Sequence, residues 1–138
     1  MTDEEIKKLH RKYAPNEEAF RLVYDHCEIV AKIARECGER YAGQVDVKVA
    51  VLAAMLHDIG TYVLFVPELH TFNEHSYQQH ALIGATILEE EGLPPSVVNA
   101  VRTHVLMGIT KQEIKAQHWK LPYRDAVPQS VEAELLCY

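Results

Sequence analysis

Apolar and polar positions along this chain repeat with a helical period. Thr2 and Glu5 form a capping-box pattern, and Ile6, Leu9 and Tyr13 follow at spacings of three and four. Pro15 ends this first predicted helix. Asn16 caps the second, whose apolar stripe runs Ala19, Val23, His26, Val30, Ile33 and Cys37 before Gly38 closes it. That spacing puts His26 on the stripe facing the core. Asp46 caps a third helix, with Val47, Val51, Ala54 and Asp58 along one edge of its apolar face and Ala50, Ala53 and His57 along the other. Gly60 stands where a C-terminal cap belongs.

Residues 61–76 carry no clear period. Residues 61–66 would suit a short strand, but no second strand pattern pairs with them, so the segment reads as a loop or broken helix. A fourth helix is predicted from about residue 76 to 91, with His80, Ile83 or Gly84, Ile87 and Leu88 on its stripe and Gly92 as the stop. Pro94-Pro95-Ser96 opens a fifth, carrying Val97, Val101, His104 and Val105 on one face, and Gly108 breaks it. Thr110 with Glu113 makes a second capping box. Trp119-Lys120-Leu121-Pro122 begins an irregular stretch. Pro128 and Ser130 introduce a last helix from Val131, with Leu135 and Tyr138 on its apolar face. The pattern as a whole predicts an all-α, single-domain bundle of about seven helices with no sheet.

Composition narrows the picture. At 138 residues, 48% hydrophobic and 25% charged, the chain has the size and balance of one globular domain. No apolar run is read as approaching the 18 or so residues of a membrane span. The N-terminus Met1-Thr2-Asp3-Glu4-Glu5 is acidic and unlike a secretory signal. Three cysteines without CxxC spacing fit a reducing compartment, and the expected location is cytoplasmic. A net charge of -6 argues against a nucleic-acid polymer or a membrane surface as partner. It leaves room for a small phosphate substrate, because a bound metal dominates its local field. Homo-oligomerisation stays open.

The eight histidines change the picture most. His57 and Asp58 are adjacent, at the end of an apolar helix, where an unpaired carboxylate is costly. His26, His80 and His104 each stand on the apolar stripe of a separate helix, where Leu or Val would be the plain choice. One core histidine is more often structural than ligating. Four, with a buried aspartate, point to a metal held inside a bundle by imidazole nitrogen and carboxylate oxygen. His10, His70, His75 and His118 lack that patterning and read as surface or loop residues, His70 or His75 being candidates for a pocket mouth.

The string Leu56-His57-Asp58-Ile59-Gly60, preceded by a helix carrying His26, resembles the HD domain superfamily, and in particular its HDIG-type members. His80-Ala81-Leu82-Ile83-Gly84-Ala85 is similar to that family's second histidine helix and Arg102-Thr103-His104 to its third, so the resemblance runs from about residue 20 to the end. It implies an HD-like fold with the metal site in the helix core. It further implies a metal-dependent phosphohydrolase acting on a nucleotide or another small phosphate ester or anhydride. The cofactor would be a divalent transition metal, two ions of Fe, Mn, Zn, Ni or Co. His26 and His57 would hold one ion, His80 and His104 the other, and Asp58 both, with Asp58 also the catalytic residue that holds the hydroxide nucleophile. Two such ions would clamp the charge that builds on phosphorus.

The chain departs from the family pattern in two places. The closing Asp of the last helix would fall just past Tyr138, so residues 1–138 read as an HD domain cut short before that ligand. Asp125 is the nearest substitute, and Glu132 and Glu134 read as solvated helix charges. The branch that cleaves cyclic dinucleotides carries a Lys after its HD-x-G string and a downstream GYP; Thr61-Tyr62 follows Gly60 here and no GYP occurs, which sets this chain apart from it. Cys27, next to His26 in sequence, should point about 100° away from it, which disfavours a Cys-His nucleophile pair. Lys111, Lys115, Lys120 and Arg124 form a small basic group; it reads as a solvated face, with Lys111 and Arg124 as candidate substrate-phosphate contacts. Two rival readings stay beside the hydrolase: a di-iron oxygenase using the same ligands, and a non-catalytic metal-binding or sensing domain.

Overall fold

The structure, a computed structural model, describes residues 1–41, 43–118 and 124–137, and only the backbone of His75, Ser76 and Leu106. The predicted irregular stretch at Trp119, Lys120, Leu121 and Pro122, and the last apolar position at Tyr138, lie outside the described residues. Among those described there are seven α-helices: α1 (Asp3–Tyr13), α2 (Glu17–Arg40), α3 (Val47–Leu56), α4 (His80–Glu90), α5 (Pro95–Thr103), α6 (Lys111–Ala116) and α7 (Val131–Leu136). The all-α expectation holds.

Local chemistry starts the helices where the sequence places them. Thr2 and Glu5 close a full capping box on α1, and Thr110 and Glu113 another on α6. Asn16 accepts from the Ala19 amide, Asp46 from those of Lys48 and Val49, and Ser130 from that of Ala133. Gly92, at φ +73°, takes the left-handed conformation that ends α4.

Several positions differ from expectation. Gly38 does not close α2, which runs on to Arg40; a Cβ there would press on Val47 Cγ2 at 3.1 Å, so Gly38 serves the α2–α3 contact. The buried face of α2 is Val23, Cys27, Ala31 and Ala34, with Leu22, Ile29 and Ile33 exposed. The stripe is therefore rotated from the predicted one, and His26 lies off the core. The segment after the doublet forms a 3-10 helix (Ile59–Leu64), a two-residue antiparallel hairpin of β1 (Phe65–Val66) and β2 (Thr71–Phe72), and a further 3-10 helix (Glu74–Gln79) before α4. The expectation of no sheet is corrected here: within residues 61–66, read as a loop or broken helix for want of a partner strand, Phe65–Val66 pair with Thr71–Phe72, a partner too short to show as a pattern. On α7 the fully buried position is Ala133, with Leu136 packed against the core and Leu135 half-buried.

The core lies where α2, α3, α4 and α5 pack together, covered by α1 and α7. Every residue from 53 to 62 is buried. Here the expectation of no span-length apolar run is corrected: Val47–Leu64, 18 residues of mean hydropathy 1.5, is long and apolar enough by composition to cross a membrane. In this fold that apolarity is used inside the bundle, since 61% of the stretch is buried and α3 ends at Leu56.

Candidate metal centre

Four helices each deliver one part of the site. His26 stands midway along α2, His57 caps the C-terminus of α3 with Asp58 next to it, His80 opens α4 and His104 caps the end of α5. Asp58 lies at the centre. Its Oδ2 is 3.5 Å from Nε2 of both His26 and His57. Its Oδ1 is 3.1 Å from His80 Nε2 and 3.6 Å from His104 Nε2. The five side chains fall into two groups that share the aspartate, His26-His57-Asp58 and Asp58-His80-His104, each with its donor atoms within 4.8 Å of one another.

The backbone sets the chemistry of the rings. His57 Nδ1 donates to the Ala54 carbonyl at 2.7 Å and His104 Nδ1 to that of Val101 at 2.6 Å; His80 Nδ1 donates to the Tyr77 carbonyl. Each partner is the carbonyl three residues back. A carbonyl only accepts, so Nδ1 carries the proton, and in the neutral ring Nε2 is a bare lone pair turned toward Asp58. His80 Nε2 and His104 Nε2 face one another at 2.9 Å, and His26 Nε2 and His57 Nε2 at 3.2 Å. Lone pairs as close as those of the neutral His80 and His104 rings repel unless a cation lies between them. The donor set, imidazole nitrogen with carboxylate oxygen, is one that first-row divalent metals accept. The residues present therefore fit a metal.

Electrostatics agree. Burial lowers the His57 pKa to about 4, so this imidazole is neutral and free to donate its lone pair. Burial alone would raise Asp58, but the protonated forms of His104 and His80 can donate to it from Nε2, and this outweighs burial and holds the carboxyl well below the usual range. Asp58 is thus an ionised acceptor at any working pH. Its carbonyl accepts from both the amide and the hydroxyl of Thr61, at 2.9 and 2.6 Å, which fixes the turn after the doublet.

The site opens into a cleft of about 470 Å³ lined by all five residues with Tyr77, Gln78 and Val105. A larger hollow of about 690 Å³, between α1 and the α4–α5 turn, contains none of the five. His26 forms the rim: its side chain is 51% exposed, against 7% for His57 and 4% for His80.

The remaining sequence candidates lie elsewhere. Lys111 and Arg124 are exposed and do not line the cleft. Lys120 lies outside the described residues. Asp125 accepts from the Lys111 amide at 2.8 Å and so caps α6, a role that takes it away from the metal groups. Glu132 is no free surface charge, because it accepts from the Asp46 amide at 2.7 Å and ties α7 to the start of α3. His70 is exposed and pairs with Glu18 at 2.9 Å, away from the cleft lining.

Two residues escaped the sequence reading. His10, expected on the surface, is 0% exposed: Nε2 donates to the Met55 carbonyl and Nδ1 accepts from the Tyr62 hydroxyl, both at 2.8 Å. Its position between Leu9 and Tyr13, four after Ile6, is the signal that could have found it. Cys27 does point away from His26, being buried where His26 is exposed, but the neighbour this gives it was not foreseen: its Sγ lies 3.7 Å from His57 Nδ1. Burial raises its pKa, so it sits there as an inert thiol.

A model of the HD domain family matches residues 23–138. A tRNA (cytidine(56)-2'-O)-methyltransferase of Picrophilus torridus is 29% identical over 123 residues, covering 89% of this chain and 32% of that protein. An uncharacterized protein of Methanocaldococcus jannaschii is 29% identical over 119 residues, covering 84% of this chain and 63% of that one. The chain thus spans about a third of the methyltransferase and less than two thirds of the M. jannaschii protein. Among solved structures, the HD domain of the L. monocytogenes phosphodiesterase PgpH, in complex with cyclic-di-AMP, has the same fold, with a TM-score of 0.64 and 19% identity over 96% of this chain and 68% of that chain. The family match covers all but the first 22 residues and takes in His26, the His57-Asp58 doublet, His80 and His104, and on that ground the chain belongs to the HD domain family.

Proposed function

We propose that this chain is a metal-dependent phosphohydrolase that cleaves a nucleotide or another small phosphate ester or anhydride. The observation that carries the reading is the two-sided environment of Asp58, each oxygen facing its own pair of imidazole Nε2 atoms. His26, His57 and Asp58 Oδ2 would hold one divalent ion; His80, His104 and Asp58 Oδ1 would hold a second. Ions so held would polarise a phosphoryl oxygen and lower the pKa of a nearby water.

The chain's own residues do the rest. The Nδ1 bonds to backbone carbonyls fix three rings in the orientation that aims Nε2 at the centre. Asp58 keeps its charge and, placed between the two halves, sets where an attacking water lies. The buried floor formed by His57 and His80 excludes bulk water, while the exposed His26 leaves one side open for substrate to enter. The PgpH fold neighbour, a phosphodiesterase crystallised with a cyclic dinucleotide, supports a nucleotide-like substrate.

The test is phosphate release from a panel of phosphomonoesters, phosphodiesters and nucleotides. Protein loaded with Mn²⁺, Fe²⁺ or Co²⁺ is assayed both under nitrogen and in air with oxygen uptake recorded, with Asp58→Asn as control. Turnover that needs metal and Asp58 but not oxygen supports the hydrolase. Oxygen uptake without phosphate release would favour the di-iron reading. Metal binding with neither would favour the non-catalytic one.

A further inference from the structure

We infer that Tyr77 forms a stacking subsite for the base of a nucleoside monophosphate, at the edge of the metal-facing histidines. The phosphate end of this assignment rests on the hydrolase reading above; the stacking end stands on Tyr77 itself. Tyr77 lies in the 3-10 helix Glu74–Gln79, three residues before His80. Its carbonyl accepts the His80 Nδ1 proton, so the backbone at Tyr77 and the orientation of His80 are fixed together. Its ring packs on the His80 ring, centroids 4.5 Å apart and planes tilted by 44°. One flank of the tyrosine is thus supported by a group that is itself held in place.

Tyr77 is not enclosed by this contact. Tyr77 keeps 40% of its surface and lines the same cleft as the five metal-facing residues. An aromatic ring braced by a fixed neighbour and still partly exposed to the cleft offers a rigid surface at little entropic cost. Every nucleobase has a matching π-face. Val105 adds an apolar wall to the cleft, and Gln78 adds an amide that both donates and accepts, as the polar edge of a base requires. Because Tyr77 touches His80, a phosphate held at the His80-His104-Asp58 group brings whatever is esterified to it alongside this ring. An aliphatic phosphate would leave the aromatic face without a partner.

The experiment measures equilibrium binding by calorimetry, with metal-loaded wild type, Tyr77→Phe and Tyr77→Ala, and with AMP and ribose 5-phosphate as probes. The readout is the ratio of the two affinities, which cancels any general weakening of the site. Wild type and Y77F should favour AMP by about tenfold or more, and Y77A should bring the ratio close to one. Tyr77→Leu, which keeps bulk against His80 without an aromatic face, should behave as Y77A does. A wild-type ratio near one overturns the inference. So does a ratio that Y77A leaves unchanged, since Tyr77 would then act only by supporting His80. Hydrolysis is followed separately: a Tyr77-dependent ratio with no phosphate released from any substrate upholds the subsite and removes the hydrolase reading.

Discussion

Gly60 and His80 meet backbone to backbone: a Cβ built on Gly60 would lie 2.1 Å from the His80 carbonyl oxygen and 2.5 Å from the Gly84 amide nitrogen. The contact seats the first turn of α4 on the segment just after Asp58, and His80 Nε2 thereby reaches Asp58 Oδ1 at 3.1 Å. The obstructing atoms are backbone, so no side chain can swing aside. Gly60→Ala is expected to cost at or above the roughly 3 kcal/mol that marks the upper end of ordinary overpacking, and to loosen metal held by His80 and His104. Denaturant midpoints and metal content measure the two effects. An Ala variant as stable as wild type would show that α4 can shift without cost.

His10 should make stability depend on acid. Burial lowers its pKa to about 4, so the folded protein keeps it neutral while the unfolded chain protonates it near the ordinary value of 6.5. The unfolded state then binds more protons between these values. The contribution is fully present above about pH 6.5 and falls as pH drops through the window, the loss reaching roughly 3 kcal/mol by about pH 4. His57 shares the window, so the informative quantity is the difference between wild type and His10→Gln. Gln can still donate to Met55 but does not titrate. The wild-type stability curve should be the steeper of the two below pH 6.5; parallel curves would rule out this account of His10.

The two halves of the site should separate by mutation. His26 is half-exposed on the rim, so His26→Ala is expected to change folding stability by no more than about 0.5 kcal/mol while removing one ion from the metal count. Asp58→Asn should weaken both ions, by more than the roughly 10- to 100-fold typical of losing an outer-shell partner. Elemental analysis after chelator competition reads both outcomes. Equal, small losses in the two variants would contradict a bridging role for Asp58.

Cysteine reactivity offers a check on the packing behind His57. Cys27 is fully buried and its pKa is raised, whereas Cys37 is half-buried. A thiol reagent should label Cys37 in the native protein and reach Cys27 only on unfolding, with peptide mapping to tell them apart. Early labelling of Cys27 would mean that α2 opens over the site.

What the sequence determined by itself is what depends on neighbours three or four residues away. The caps at Thr2, Asn16, Asp46, Thr110 and Ser130 are local hydrogen bonds, and each starts a helix where its spacing says it should. The order His26, His57-Asp58, His80, His104 was legible because residues that hold a charge inside a bundle are conspicuous among apolar ones. The tertiary structure decided which face each of them meets. On α2, Cys27 rather than His26 enters the core, because packing on α3 fixes the rotation of a 24-residue helix with apolar residues on more than one face. Gly60 reads as a cap in one dimension and is a helix–helix contact in three. His10 is buried by Met55 and Tyr62, which lie 45 and 52 residues away. Lys111 and Arg124 stand outside the cleft, and Tyr77 stands in it, because local spacing does not say which element packs beside the site.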